Sequence, residues 1–122
     1  MKRVLLLLLV VGCHKQSGPS SRDGVIAAWK KGGLEPSAFT TAQQPDIGKD
    51  CASGTVNKLD VLVCTYPTAQ EAKAAEDAGL KWVGDTTGAS RAQGETLIVV
   101  ADRKKADPSG RTINQVVTLP AK

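Results

Sequence analysis

Residues 50–66 read Asp-Cys-Ala-Ser-Gly-Thr-Val-Asn-Lys-Leu-Asp-Val-Leu-Val-Cys-Thr-Tyr, and this stretch decides the fold. Residues 59–66 are rich in β-branched and aromatic side chains, which is typical of a strand. Residues 52–56 are a plausible partner strand, and Asn57 and Lys58 lie between the two as a two-residue turn. In that register the paired positions sum to 115, so the sequence predicts that Cys51 faces Cys64.

The two cysteines fall in the non-hydrogen-bonded class of pairs when positions are counted outward from the turn. The Cα atoms of such pairs approach to about 4.5 Å, a separation that a disulfide accepts. The turn and the cysteine spacing therefore predict a Cys51–Cys64 disulfide, with two free buried thiols as the alternative. A metal site is disfavoured, because structural zinc takes about four Cys or His ligands and the only histidine is His14.

Three stretches around the hairpin have helical patterns. The first begins after Ser21 and ends at a pair of glycines. The second is capped by Thr68 with Glu71 three residues later, and Gly79 is expected to end it. The third is expected to begin at Asp107, which Pro108 follows, and to end before Pro120. The expected core-facing residues of the first and third helices are Val25, Ile26, Trp29, Ile113, Val116 and Val117.

The remaining segments are assigned to strands and connections. Residues 35–49 are expected to be mostly irregular, with Phe39 and Ile47 packed on the core. Residues 81–83 are interpreted as a short strand, and residues 84–94 as a long polar loop or a loose hairpin connection. Residues 95–101 form the strongest strand pattern, an apolar run that favours a central position in the sheet.

The resulting order is α-β-β-α-β-β-α. Hairpins joined by a helix favour a small, mainly antiparallel sheet. The predicted fold class is therefore α+β, a two-layer sandwich of about four strands with helices packed on the sheet. Part of that order, β-α-β-β-α, resembles half of a ferredoxin-like fold with one strand missing.

The first thirteen residues have a different character. Lys2 and Arg3 precede an unbroken apolar run over residues 4–11, and Gly12 and Cys13 follow it. The run is too short to span a bilayer, which takes about 20 residues, and it fits the h-region of a secretory signal. This segment resembles the signal peptide of bacterial lipoproteins, whose lipobox ends in the cysteine that becomes the first residue of the mature chain. The alternative is an ordinary secreted protein in which Cys13 is incidental.

The resemblance implies that residues 1–12 are removed and that Cys13 carries a thioether-linked diacylglycerol and an acylated amine. Because two or more acyl chains hold a protein stably in a membrane, Cys13 would be a permanent anchor. Residues 13–22, rich in Ser, Gly and Pro, would then be a flexible tether, and residues 23–122 a single domain. His14, where an Asp would retain such a protein at the inner membrane, favours the periplasmic side of the outer membrane. Export to an oxidising compartment also favours the disulfide.

Charge and composition exclude several classes of function. Without Lys2 and Arg3 the chain has 14 basic and 12 acidic residues, so its formal net charge is 14 − 12 = +2. Nucleic-acid binding is not expected, because basic stripes and stacking aromatics are missing. Acyl-transfer catalysis is disfavoured, because residues 23–122 contain no histidine to activate a nucleophile. No spacing selects an acid/base pair among the scattered carboxylates Asp50, Asp60, Asp85, Glu95 and Asp102.

These observations predict a lipid-anchored protein of the bacterial cell envelope, non-enzymatic, that binds another envelope protein or serves as an accessory subunit. Residues 84–94 and any free sheet edge are the expected contact surfaces. The alternative is a small-ligand-binding lipoprotein, which would need Trp29 and Trp82 to open onto a cavity. Both tryptophans are instead expected in the core. No catalytic residue, cofactor or metal ligand is predicted, and an enzyme is the least favoured class.

Overall fold

The computed structural model describes residues 21–121, which form an α+β domain around one antiparallel sheet. The elements of that part of the chain are, in order, α1 Arg22–Lys31, β1 Thr40–Ala42, β2 Asp50–Val56, β3 Leu59–Thr65, α2 Ala69–Ala74, α3 Glu76–Val83, β4 Thr87–Gln93, β5 Thr96–Asp102 and α4 Arg111–Thr118, with a final 3₁₀ turn at Leu119–Ala121. The predicted α+β class is confirmed. Helix α1 begins after Ser21, as predicted, so Arg22 belongs to the domain and not to the tether.

The sheet has the strand order β1-β2-β3-β5-β4, and every neighbouring pair is antiparallel. The predicted β2–β3 hairpin is confirmed in its register, which pairs Val56 with Leu59 and Cys51 with Cys64. Both turn residues have positive φ, 50° at Asn57 and 73° at Lys58, as a two-residue hairpin turn with the right twist requires. A disulfide joins the two cysteines, whose Cα atoms lie 4.0 Å apart.

Helices cover both faces of this sheet. On one face, α1 and α4 pack against alternate residues of β2, β3 and β5. The buried residues of that layer are Val25, Trp29, Leu34, Val56, Leu59, Val61, Val63, Ile98, Val100, Ile113, Val116 and Val117. The core-facing positions predicted for both helices are confirmed, with Ile26 only partly buried.

The opposite face is covered by α2, α3 and the loop of residues 43–49. Its buried residues are Ile47, Cys51, Leu62, Cys64, Val83, Leu97, Val99 and Ala101, with Ala75, Ala78 and Trp82 partly buried beside them. The predicted antiparallel sheet with helices packed on it is therefore present. It has five strands where about four were expected, and helices lie on two faces where a two-layer arrangement places them on one.

Trp29 is the central side chain of the α1/α4 layer. It is fully buried, its indole N–H donates to the carbonyl oxygen of Val116 at 2.8 Å, and its ring lies 5.8 Å from that of Phe39. Phe39 in turn lies over Gly54 of β2, where a Cβ would come within 2.8 Å of its ring. The absence of a side chain at Gly54 is what lets residue 39 reach the core.

Strand β1 lies inside the segment that was expected to be irregular. It pairs with β2 through Thr40 and Ser53. Further upstream, Ser37 donates its backbone N–H to the carbonyl of Thr55 at 2.8 Å. These partners are more than ten residues away, so the local pattern of residues 35–49 carries no sign of them.

The prediction of a strand at residues 81–83 is wrong. The helix predicted to end at Gly79 breaks at Ala75, restarts as α3 and continues to Val83, and Gly84 with a φ of 68° ends it. Gly79 is buried against the sheet, where an added Cβ would meet Val99 at 2.8 Å. That glycine serves close packing within the helix, not termination.

The prediction of a polar loop over residues 84–94 is also wrong, since most of the segment is strand β4. It forms a hairpin with β5 across Gly94 and Glu95, so the alternative of a hairpin connection is closer to the structure. Strand β5 confirms the prediction for residues 95–101, one residue later, and is buried along its whole length. The prediction that the last helix begins at Asp107 is wrong, because α4 begins at Arg111 with Gly110 at its N-cap position. The carboxylate of Asp107 still accepts the N–H of Ile113, in the first turn of that helix, at 2.8 Å.

Candidate functional site

Two surface features of the described residues border α3. One is a groove between α3 and the 43–49 loop. The other is the outer edge of β4, on the far side of the same helix. We call them the Trp82 groove and the β4 edge.

The Trp82 groove has a volume of about 470 Å³ and is lined by Gln44, Asp46, Ile47, Ala78, Lys81 and Trp82. Asp46 and Lys81 are exposed and of opposite charge, while the half-buried Trp82 ring and the Ile47 side chain provide its apolar surface. Such a mixture of an aromatic wall and a few charged groups is what small-molecule sites use.

Arg103 fixes the position of Trp82. The guanidinium of Arg103 lies 4.4 Å from the ring centroid, a cation–π contact. Arg103 also donates to the carbonyl of Trp82 at 2.6 Å and forms an ion pair with Asp60 at 3.4 Å. The expectation that both tryptophans lie in the core is thus confirmed for Trp29, whereas Trp82 is only partly buried and packs against the edge of the second core cluster.

The opposite wall is fixed to the disulfide-linked hairpin. Ile47 is buried above Cys51 and Cys64, as predicted for its contact with the core. The Tyr66 hydroxyl donates to the carbonyl of Ile47 at 2.7 Å, and its ring touches Gly48, where a Cβ would come within 3.0 Å. Burial raises the pKa of the Tyr66 phenol above its ordinary value.

The β4 edge follows from the hairpin register. Gln93 pairs with Thr96 across a two-residue turn, so the two residues form a hydrogen-bonded pair. From there, non-hydrogen-bonded and hydrogen-bonded pairs alternate along the two strands. The backbone groups of Gly88, Ser90 and Ala92 consequently point away from β5, toward the outside of the sheet. Within residues 21–121, the outward groups of Gly88 and Ser90 have no backbone or side-chain partner.

The third outward position is closed by a side chain. The carboxylate of Glu76, at the start of α3, accepts the N–H of Ala92 at 2.8 Å. Because the Glu76 carboxylate occupies the N–H of Ala92, a further strand cannot form its hydrogen bond to that N–H. It leaves the Gly88–Ser90 end of the β4 edge open.

The opposite edge of the sheet is much shorter. Strand β1 has three residues, and the first and last of them, Thr40 and Ala42, form hydrogen-bonded pairs with Ser53 and Cys51 of β2. Thr41 is therefore the one residue of this strand whose backbone groups point outward. The β4 edge offers the longer template of the two.

Two of the scattered carboxylates named in the sequence, Asp85 and Asp102, line one cavity of about 380 Å³, but the carboxylates of Asp50 and Asp102 are already engaged in hydrogen bonds. Asp50 accepts from Thr65 at 2.5 Å and from Arg22 at 2.8 Å, and these bonds lower the pKa of its carboxyl group. Asp102 accepts the N–H groups of Ala106 and Asp107. These acids stabilise turns and strand ends, and across residues 21–121 no group of three or more Cys, Asp or Glu is placed to hold a metal ion.

The remaining predicted site residues divide into two groups. Cys51 and Cys64 are joined, as predicted. Cys13, the predicted lipidation site, lies outside the described residues. Sequence reasoning missed Glu76 and Leu80 as surface determinants, because Glu76 lay inside the predicted helix and Leu80 lay just beyond its expected end at Gly79. The apolar Leu80, close in sequence to the charged residues Glu76, Asp77 and Lys81, was the signal available for them.

No protein-family model, no curated protein and no solved structure matches this chain.

Proposed function

We propose that this chain is a lipid-anchored protein of the bacterial cell envelope whose domain binds another envelope protein through the β4 edge. The observation that carries the binding proposal is the pair of unpartnered backbone positions at Gly88 and Ser90. An unpaired, seven-residue edge strand is a ready template for another chain.

The anchor rests on the sequence of residues 1–13, in which the basic start, the short apolar run and Gly12-Cys13 resemble a lipoprotein signal. Among residues 21–121, no helix has the length and apolarity needed to cross a membrane. A lipid on Cys13 would hold the domain at the bilayer through residues 14–20. His14 after the cysteine favours the outer membrane.

The anchor is tested by labelling cells with radioactive palmitate and separating their membranes. The wild-type chain should incorporate the label and remain in the membrane fraction. A Cys13→Ser variant should do neither, whereas Cys51→Ser, as the matched cysteine control, should still be labelled. An unlabelled wild-type chain, or a Cys13→Ser chain that stays in the membrane, would overturn the proposal.

The binding surface is tested by site-specific photocrosslinking in the envelope. A photoreactive residue at position 87 or 91, both exposed on β4, should capture the same discrete partner. The control is position 31, which is exposed on α1 across the sheet. Capture of that species from position 31 with equal yield, or no capture from β4, would contradict the proposal.

A second candidate function is supported by the Trp82 groove. Because Trp82 lines a volume of about 470 Å³, binding of a small amphipathic molecule is a specific alternative. The probe is 1-anilinonaphthalene-8-sulfonate, added to the native protein. Saturable binding that Trp82→Ala removes and Leu80→Ala leaves intact would favour this function; unsaturable binding, or binding insensitive to both changes, would count against it.

A further inference from the structure

The β4 edge is bordered by an exposed apolar side chain. Leu80 is the one large hydrophobic residue of the described chain that is exposed, at 49 %. It lies four residues after Glu76, and residues at that spacing occupy the same side of a helix. Since the Glu76 carboxylate reaches Ala92 at the outer edge of β4, Leu80 projects over that edge too.

The position of Leu80 along the strand is set by its neighbours in α3. Gly79 contacts Ser90, and Val83 contacts Gly88. Leu80 therefore lies level with the open end of the edge, between the two unpartnered positions. The apolar contact and the free backbone groups are available to the same ligand.

A positive charge lies beside the β4 edge on the α1/α4 face of the sheet. Arg91 alternates with Ser90 along β4, so its side chain points to the α1/α4 face, where it is exposed. No ion pair with Arg91 is formed within residues 21–121. A partner with a carboxylate on this face would gain an opposite charge at the edge.

We infer that β4 binds its partner as an added β-strand: an extended segment of another protein that pairs with Gly88 and Ser90, packs an apolar side chain on Leu80 and places a carboxylate beside Arg91. This inference rests on the proposed function and names the chemistry of its partner. Because side chains of a strand alternate between faces, the apolar and acidic residues of that segment are adjacent in its sequence.

A second copy of this chain fits the edge less well. In an antiparallel β4–β4 pair centred on Ser90, each Gly88 would face Ala92 of the other copy. The N–H of Ala92 is already bound to Glu76, so the outer hydrogen bonds of the pair would require that both carboxylates move. A segment of another protein needs only the open end.

The test uses residues 13–122 without lipid and a fluorescein-labelled peptide of ten residues. The peptide alternates threonine and valine, with a leucine–glutamate pair at its centre. Fluorescence anisotropy measures the dissociation constant. Hydrogen exchange of the amides of Gly88 and Ser90, followed by NMR, reports the pairing. We expect saturable binding with both amides protected. Replacing the leucine of the peptide by serine, or its glutamate by lysine, should weaken binding by about tenfold each.

Variants of the protein distinguish strand pairing at β4 from non-specific peptide binding. Ser90→Pro removes an outward N–H without removing a bond to β5, which an edge strand tolerates, and should abolish binding. Thr41→Pro makes the same change on the opposite edge and should leave binding unchanged. Glu76→Ala frees the Ala92 N–H and should tighten binding about threefold to tenfold, as one added hydrogen bond allows.

The outcomes discriminate between the proposals. Binding without protection of Ser90, equal loss in Thr41→Pro, or indifference to the central leucine would overturn strand addition. If photocrosslinking at positions 87 and 91 still captured an envelope partner, the proposed function would stand without it. Protection of Ser90 that rises with protein concentration in the absence of peptide would assign the edge to a second copy and overturn the inference.

Discussion

The two faces of the sheet are packed on different principles. On the α1/α4 face, large side chains of the helices interlock with branched side chains of the strands, around the fully buried Trp29. On the α2/α3 face the strands again supply branched side chains, but the helix residues against them are mostly small, among them Ala75, Ala78 and Gly79.

This difference separates the stabilising part of the molecule from the part available for binding. On the α1/α4 face, large interlocked side chains fill the space between the helices and the sheet. On the small-residue face, α3 lies so close to β4 that Leu80 and Trp82, on its two flanks, are only partly covered. Both candidate surfaces are a consequence of that close approach.

The largest loss of stability is expected at Trp29, on the α1/α4 face. Trp29→Ala should destabilise the domain by about 3–5 kcal/mol, because it leaves a large cavity and an unpaired carbonyl at Val116. The same change at the half-exposed Trp82 should cost less by at least about 2 kcal/mol. Urea unfolding followed by circular dichroism measures both, and equal losses would show that the two faces do not differ in this way.

The disulfide is expected to carry a large share of the stability of the other face. Replacing Cys51 and Cys64 together by Ala should cost about 3 kcal/mol, the chain-entropy value for a closed loop of this length. The loop of residues 43–49 should loosen first, because Ile47 packs on the bridge. Hydrogen exchange of the Gly48 amide measures that loosening, and exchange of the Trp29 indole N–H, which donates to the carbonyl of Val116, serves as the control on the opposite face. Unchanged exchange at Gly48 would contradict this assignment.

The third prediction concerns the contact of Gly79 with Ser90. Gly79→Ala should destabilise by about 1–3 kcal/mol despite the better helix propensity of alanine, since its methyl group meets Ser90 and Val99 at the sheet. Ser90→Gly should remove part of that clash, so the double variant should be more stable than the sum of the single changes. Additive losses at Gly79 and Ser90 would rule out close packing as the reason for the glycine.

These faces were not equally readable from the sequence. The register of the β2–β3 hairpin could be predicted to the residue, because its turn and its two cysteines are local and agree. The apolar positions of α1 and α4 could also be predicted, since helical periodicity marks them.

The small-residue face could not be predicted in the same way. A glycine in a helical run has two explanations, a stop or a close approach, and only the position of β4 decides between them at Gly79. The polar composition of β4 resembles that of a loop, because none of its residues is fully buried. The candidate surfaces depended on both of these features, so Glu76, Leu80 and the Trp82 groove required the structure.

The smallest predicted effect is a pH response confined to the groove side. Burial raises the pKa of Tyr66 in the folded domain, so the unfolded chain, with an ordinary pKa of about 10, loses its phenol proton first. The stabilising contribution of Tyr66 should therefore be complete below pH 10 and decline as pH rises through the folded-state pKa. The loss is also local, because the ionised oxygen can no longer donate to the carbonyl of Ile47. Urea unfolding between pH 8 and pH 11 measures this loss of stability, with Tyr66→Phe as the control. At pH 8 the phenylalanine variant should be less stable than the wild type by about 1 kcal/mol. The free energies of unfolding of the two proteins should converge as pH rises. Parallel curves over that range would mean that Tyr66 titrates as it does in water, and that the loop of residues 43–49 is held to the hairpin by Ile47 and the disulfide alone.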